Sequence, residues 1–499
     1  MRYRDGKAYQ TTLSETGGQM RRAIAAGIMG GLVLGGTAAT PALAAALTAR
    51  GAPARAAGAA GAAGRGMRTV VYAGYAFQVP ASWPVYRLDE YPRTCVRYDV
   101  HAVYLGRPSA NMDCPAGIVG RTETVSFIPA AATGPRRLPV APGMLSQNSG
   151  QRQLEVTLGA SGADGTVLGT YGAAPGVTEQ VLSTLRRAPA GATPTAQAAQ
   201  AVPPRAVPAQ AVPAQAVPAQ AVPAQAVPAR AQATRTTSRL AAAAQQTYTS
   251  WRGVPSDWPT EIVQPPLPLP LPHSVGGFDA CTAPSLATMR VWRRSYAAVG
   301  TYIGGINSAC AYGNLSASWI RNVAAMGWGV LPTYVGRQAP CWNGGNGVRI
   351  KLGKAAAQGT AAGLDAVSDA RHFGLAAGSP IYYDMEAYTG GTACKQAVLA
   401  FLGAWDRTVA ANGYLTALYS SRGSGIANIE EWTVDRDPGF TPPDAIWVAL
   451  WDGIASLNGD QLAWPMTERS KQYTGNVNVT VGGITLNVDK DIVDGPVAR

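Results

Sequence analysis

Histidine is nearly missing from this chain: His101, His273 and His372 are the only three among 499 residues. None is spaced with a cysteine as a zinc site requires, and no CxxC occurs. Neither a structural nor a catalytic metal is therefore expected, and no cofactor. The same scarcity leaves no evident Ser-His-Asp set, GxSxG is absent, and there is no P-loop, which argues against serine-hydrolase and nucleotide chemistry. His372 falls in a helical stretch and reads as surface or core. Charge is also sparse at 14% of residues, against 58 glycines and 37 prolines, so a uniformly packed chain is not expected and two or three domains are. The net charge is +12. Many of the arginines sit scattered among Ala and Pro, with no basic cluster interleaved with aromatics, so nucleic acid is not expected as a partner. Such a charge suits an anionic cell envelope, or serves solubility alone.

No apolar run is long enough to promise a membrane span. The best, Ala23 to Gly36, is short and Gly-rich. It follows Met20-Arg21-Arg22 and precedes Ala42 and Ala44 in ATPALAAA. That charged, apolar, small-residue order reads as a secretory signal over 1–44, with a membrane anchor as the alternative. The arginine pair permits twin-arginine export. The expectation is a secreted, extracellular or cell-wall-associated protein with no stable membrane insertion after cleavage. All six cysteines lie beyond this segment, and an even count in an exported chain points to disulfides. Cys95–Cys114 would staple the first domain. The remaining four allow three pairings, of which Cys281–Cys310 and Cys341–Cys394 each join neighbouring elements.

Residues 45–66 are Ala/Gly-rich and expected to be disordered. From Met67 to 188, stretches such as TVVYAGYAFQVP and RQLEVTLGA alternate with turn residues and predict a small, mostly β domain. No chemical constellation is visible in it. Residues 189–270 form a Pro/Ala-rich linker containing AVPAQ repeats. Proline at every fifth position excludes helix, so this reads as an extended spacer. At ~3.1 Å per residue, its thirty repeat residues would span roughly 90 Å and hold two modules apart; the alternative is a low-complexity linker with no specific role. From residue 271 to 499, strands such as SVGGFDA, AVGTYIGG, VLPTYVG and SPIYYDME alternate with helical stretches. That predicts an α/β fold, a (β/α)₈ TIM-barrel-like domain. A doubly wound sheet is the alternative, but the first βα turn has no GxGxxG.

Acids recur where the predicted strands end: Asp279, Asp384 with Glu386, Asp452 and Asp489. Such barrels carry their sites at these ends. Period two puts Tyr382, Asp384 and Glu386 on one face of their strand, with Tyr383 and Met385 on the other. Two acids forced together do not both ionise easily, so one pKa rises, giving a general acid beside an anion. A helix cap explains a lone acid such as Asp279 or Asp452, but not a pair. Tyr382, Tyr388, Trp451 and Tyr473 are candidate sugar-stacking rings. Trp447 lies near them, and strand aromatics are more often core.

These residues resemble known proteins. GGFDAC, YYDMEAY, the KQYT strand and GGITLNVDKDIVDG follow the order of the glycoside hydrolase family 25 lysozymes, secreted barrels that cleave peptidoglycan. Closer still is the resemblance to an actinobacterial, secreted glycoside-hydrolase-like domain of unknown function, through GFDACTAPS, IGG, YVGRQAPC and IYYDMEAY. It covers about 276–495. The resemblance implies Glu386 as acid/base, with Asp279, Asp384 and Asp489 orienting substrate and stabilising charge. The lysozymes tend to follow the last-strand Asp with an Asn-containing turn; here Lys490-Asp491 stands instead, adding an acid. The expected function is hydrolysis of a cell-wall polysaccharide, implied to be peptidoglycan. The alternative is an inactive barrel that binds or scaffolds wall glycan.

Overall fold

The computed structural model describes residues 66–130, 142–148, 152–159, 164–196, 274–434, 440–459 and 462–498. The expected signal segment, the disordered stretch and the AVPAQ repeats lie outside them. Among the described residues, no helix is long and apolar enough to cross a membrane.

The first domain is mostly β, as its alternation predicts. Strands β1 (Met67–Tyr72) and β2 (Tyr75–Pro80) form a hairpin joined by β9 (Arg186–Arg187). A six-stranded sheet runs β3 (Val85–Arg87), β4 (Ala102–Leu105), β5 (Thr124–Pro129), β8 (Gly165–Thr170), β7 (Gln153–Leu158) and β6 (Pro142–Asn148). Helix α1 (Gly176–Ser183) buries Val181 and Leu182 in a core with Phe77, Phe127 and Val167.

The second domain is a closed eight-stranded barrel: β10 (Val275–Asp279), β11 (Ala298–Gly304), β12 (Gly329–Tyr334), β13 (Pro380–Met385), β14 (Leu415–Ser421), β15 (Ala445–Ala449), β16 (Arg469–Val481) and β17 (Ile484–Val493). Helices α2 (Leu286–Trp292), α3 (Ala317–Ala325), α4 (Ala355–His372), α5 (Thr392–Ala411) and α6 (Ala427–Val434) cover its outside. Ser285 and Ser316 cap α2 and α3, each side chain accepting a backbone N–H. In β13 the two faces separate as period two requires. Tyr382 packs inside the barrel with Leu331, Trp447 and Val497, while Tyr383 and Met385 pack outward in the core shared with the helices. Small residues at Ala298, Ala417 and Ala445 make room for the Tyr382 and Trp447 rings.

The barrel departs from strict (β/α)₈ order in its last strand. β17 is antiparallel to both β16 and β10. The cause is local: Gly482 and Gly483, at φ 55° and 79°, form a two-residue hairpin turn closed by the Val481–Ile484 pair. Asp489 consequently lies mid-strand rather than at a strand's end. It reaches the mouth because an antiparallel strand begins where its neighbours finish.

A second departure concerns the spacer. The first domain and barrel belong to one compact unit, Ala63–Arg499. Backbone bridges link Arg97 to Cys310 and Val119 to Ser308, and Asn111 bonds both Ser285 and Thr288. The two modules therefore touch, whatever the length of the segment between them. All six cysteines are paired, as Cys95–Cys114, Cys281–Cys310 and Cys341–Cys394. Cys114, Cys281 and Cys310 share one apolar cluster with Tyr98 and Tyr104 across the domain contact.

Candidate active site at the barrel mouth

Strand β10 ends on Asp279, and its antiparallel neighbour sets Asp489 directly opposite. β13 carries Asp384 on its inward face, with Glu386 one residue past the strand's end. Period two places Asp491 on the same face of β17 as Asp489. Asp279, Asp384, Asp489 and Asp491 are buried, while Glu386 is half-buried. Among the described residues, no Lys or Arg pairs with any of the five.

Neutral donors serve them instead. Gln472, itself buried, donates Nε2 to Asp279 Oδ2 at 2.9 Å and to Asp489 Oδ2 at 3.2 Å. Its Oε1 accepts from Tyr419 Oη at 2.8 Å and from Trp451 Nε1 at 2.7 Å. Tyr302 Oη donates to Asp279 Oδ1 at 3.2 Å, Trp447 Nε1 to Asp491 Oδ1 at 3.1 Å, and the Asn476 N–H to Asp489. Gln338 fixes the end of β13, donating Nε2 to the Asp384 carbonyl at 2.9 Å and accepting the Glu386 N–H at 2.7 Å. Amides and hydroxyls orient carboxylates without neutralising them.

The electrostatic consequence is uniform. Burial lifts Asp279 to about 6, against the hydrogen bonds from Gln472 and Tyr302 that pull it down. Burial lifts Glu386 to about 7, with a hydrogen bond from Asp384 opposing and the Asp279 charge assisting. Asp384 is raised by burial and then by the Glu386 and Asp279 charges; Asp489 and Asp491 are raised by burial and then by Asp279. The Asp384 and Glu386 carboxyls act on each other's ionisation, as neighbouring acids do. Near neutral pH the mouth thus holds both carboxylic acids and carboxylates, and its titrations belong to the cluster as a whole.

Asp279, Asp384, Glu386 and Asp489, expected as a set, are brought together. The aromatic candidates divide. Tyr382 is not a surface contact: it is fully buried, edge-on to Trp447, and its hydroxyl donates to the Pro496 carbonyl at 2.7 Å. An inward strand position one layer below the mouth leaves it no solvent face. Tyr388 is 8% exposed and accepts a bond from Asn428 at 3.0 Å. Trp451 is 46% exposed, and half-buried Tyr473 lies under the Lys490 ammonium, 5.3 Å from its ring centre. Asp452 is structural, but as half of an ion pair in a turn rather than as the helix cap expected of a lone acid, since no helix directly follows it. It pairs with Lys471 at 2.8 Å and accepts the Ile454 N–H, and burial, outweighed by that pairing, leaves its carboxyl below the usual range. Gln472, Gln338, Tyr302 and Tyr419 went unread because neutral side chains leave no charge pattern. Asp491 had a legible signal in its period-two relation to Asp489.

Residues 290–493 match the Rv2525c-like, glycoside hydrolase-like domain family. The match stops short of Asp279 and covers less than half of the chain. Solved structures similar to the chain include an uncharacterised protein of B. stearothermophilus, at 20% identity over 44% of this chain and 96% of that one, TM-score 0.33. Another is the Tat-secreted protein Rv2525c of Mycobacterium tuberculosis in complex with L-tartrate, at 17% identity over 44% and 95%, TM-score 0.32. A third is the modular autolysin LytC of Streptococcus pneumoniae, at 14% identity over 44% and 46%, TM-score 0.31. No curated protein matches the chain.

Proposed function

We propose that the barrel hydrolyses a glycosidic bond of a cell-wall glycan, peptidoglycan by its motif resemblance, through carboxylate acid/base catalysis. The observation that carries this reading is the convergence of five carboxyl groups on one barrel mouth, with no countercharge among the described residues. Structural acids are normally neutralised. Acids kept desolvated and unpaired mark sites where a proton must be given and a positive charge met. Glu386, the one acid of the five with substantial solvent access, is the general acid. With its pKa near 7 it carries a proton that it can deliver to the leaving oxygen. Asp279, at about 6, ionises earlier and stabilises the oxocarbenium-like charge that develops as that bond breaks; a water then adds to the sugar carbon and its proton restores Glu386. Asp384 neighbours the Glu386 carboxyl and acts on its ionisation, and Gln472 aims Asp279 and Asp489 together. Trp451 offers an exposed ring for a sugar face. Three disulfides suit an oxidising, extracellular compartment, in keeping with the signal-like N-terminus.

The test is digestion of purified cell walls by the full chain, with released fragments read by mass spectrometry. Release that disappears in Glu386→Gln supports the reading. The same blank for both proteins, with walls still bound, favours a binding role over catalysis.

A further inference from the structure

The first domain contacts the barrel along the rim of the mouth that carries the acids. Asn111 bonds the start of α2, which follows β10. Tyr98, Val119, Gly120 and Arg121 bond the loop after β11, through Ala309, Ser308 and Asn307. Gly120 also lies against Asn346 and Gly347 in the loop after β12. The Ala116 N–H donates to Asn487 Oδ1 at 2.9 Å, on the mouth end of β17. The stretch from Cys114 to Gly120 therefore runs along the rim above β17, β10, β11 and β12.

Within that stretch, Gly117 is exposed and stands over the acid site itself. A Cβ at Gly117 would lie 3.4 Å from Asp489 Oδ2. A residue of the first domain thus lines the same opening as the acids, although no charge or motif in that domain announces it. The opposite rim is built differently. Ala387, Thr389 and Gly390 after β13 are exposed, and Trp451 and Ile454 after β15 are 46% and 58% exposed. Trp451 is tied through Gln472 to Asp279 and Asp489, so this exposed ring is registered to the acids by two hydrogen bonds.

An enzyme that cuts within a polymer needs a groove open at both sides, so that the chain continues past the scissile bond in both directions. Here one side is a wall. We propose that the first domain closes the Asp489 side of the mouth through Cys114–Gly120, and that the substrate enters as a glycan chain end over Trp451. This rests on the hydrolase reading above and specifies its substrate: the terminal units of a wall glycan, released successively from an end.

The experiment uses the full chain on purified linear wall-glycan strands, following both strand length by size exclusion and small-fragment release by mass spectrometry. Chain-end action gives small fragments from the earliest times while the mean strand length falls slowly. A rapid fall in strand length before small fragments accumulate leaves the hydrolase reading standing and overturns the wall. Failure to bind or cut any strand overturns both. Two variants locate the effect. Gly117→Trp, which projects a ring over Asp489, should lower fragment release at least tenfold with an unchanged melting temperature. Glu179→Trp, which adds the same ring on the exposed face of α1, should stay within twofold of the parent. Equal activity of Gly117→Trp and the parent would remove Gly117 from the site and overturn the proposal.

Discussion

Uncompensated acids at the mouth should make this protein less stable as pH rises through the range where most proteins are most stable. Asp279 is 1% exposed, and burial raises its carboxyl from 3.8 to about 6. At 1.36 kcal/mol per pKa unit, ionising it in the folded state costs about 3 kcal/mol. The sign follows from proton binding. A carboxyl whose folded pKa is raised keeps its proton longer when folded, so its stabilising contribution is complete below about pH 4 and is lost as pH climbs through about 6. Glu386, Asp384, Asp489 and Asp491 are raised too, so they act in the same direction. The first-domain carboxyl Asp89, lowered chiefly by its hydrogen bond with Arg87, acts oppositely but only below the usual Asp range. Urea unfolding between pH 4.5 and 7.5, with disulfides intact, should therefore show stability falling by about 3 kcal/mol or more. Asp279→Asn should recover much of that loss at pH 7.5 and change little at pH 4.5. A stability that is flat or rising over this window in the parent, and indistinguishable in Asp279→Asn, would refute the claim that these acids are desolvated and unpaired.

Other outcomes follow from the same geometry. Wall hydrolysis should peak between about pH 6 and 7, bounded by the titrations of Asp279 and Glu386, and its upper limb should move down in Asp279→Asn because one charge raising Glu386 is gone; a pH–rate profile checks both. Gln472→Leu strips partners from Asp279, Asp489, Tyr419 and Trp451, and should destabilise by roughly 2–4 kcal/mol in chemical denaturation. Trp451→Ala should raise KM for glycan about tenfold with little change in kcat or melting temperature, since its ring is 46% exposed. Replacing both Cys341 and Cys394 by Ser opens a loop of 53 residues and should cost about 4 kcal/mol on the loop-entropy scale, read as a lowered unfolding midpoint.

The barrel was legible because its signals are local. Alternating apolar strands and helices at regular spacing have few architectures that bury both faces of the sheet, and period two in SPIYYDMEAY puts Asp384 and Glu386 on the face opposite Tyr383 and Met385. The same reasoning found Asp279 at the end of β10. It misjudged β17, whose Gly482-Gly483 turn reverses the chain and delivers Asp489 and Asp491 from the middle of a strand. It also treated Tyr382 as a possible sugar contact, when the depth of its layer buries it. Depth along a barrel axis depends on strand stagger, which no single strand encodes.

By itself, then, the sequence determined the strand faces, the family resemblance and four of the five acids, because each follows from short-range periodicity or a contiguous motif. The tertiary structure alone decided that the acids lack countercharges among the described residues, that Gln472 binds two of them together, and that Gly117 stands over Asp489. These are relations between residues far apart in the chain, up to 372 positions from Gly117 to Asp489 (489 minus 117). Only packing can fix them, since the neutral amides and the glycine involved carry no charge or periodicity of their own.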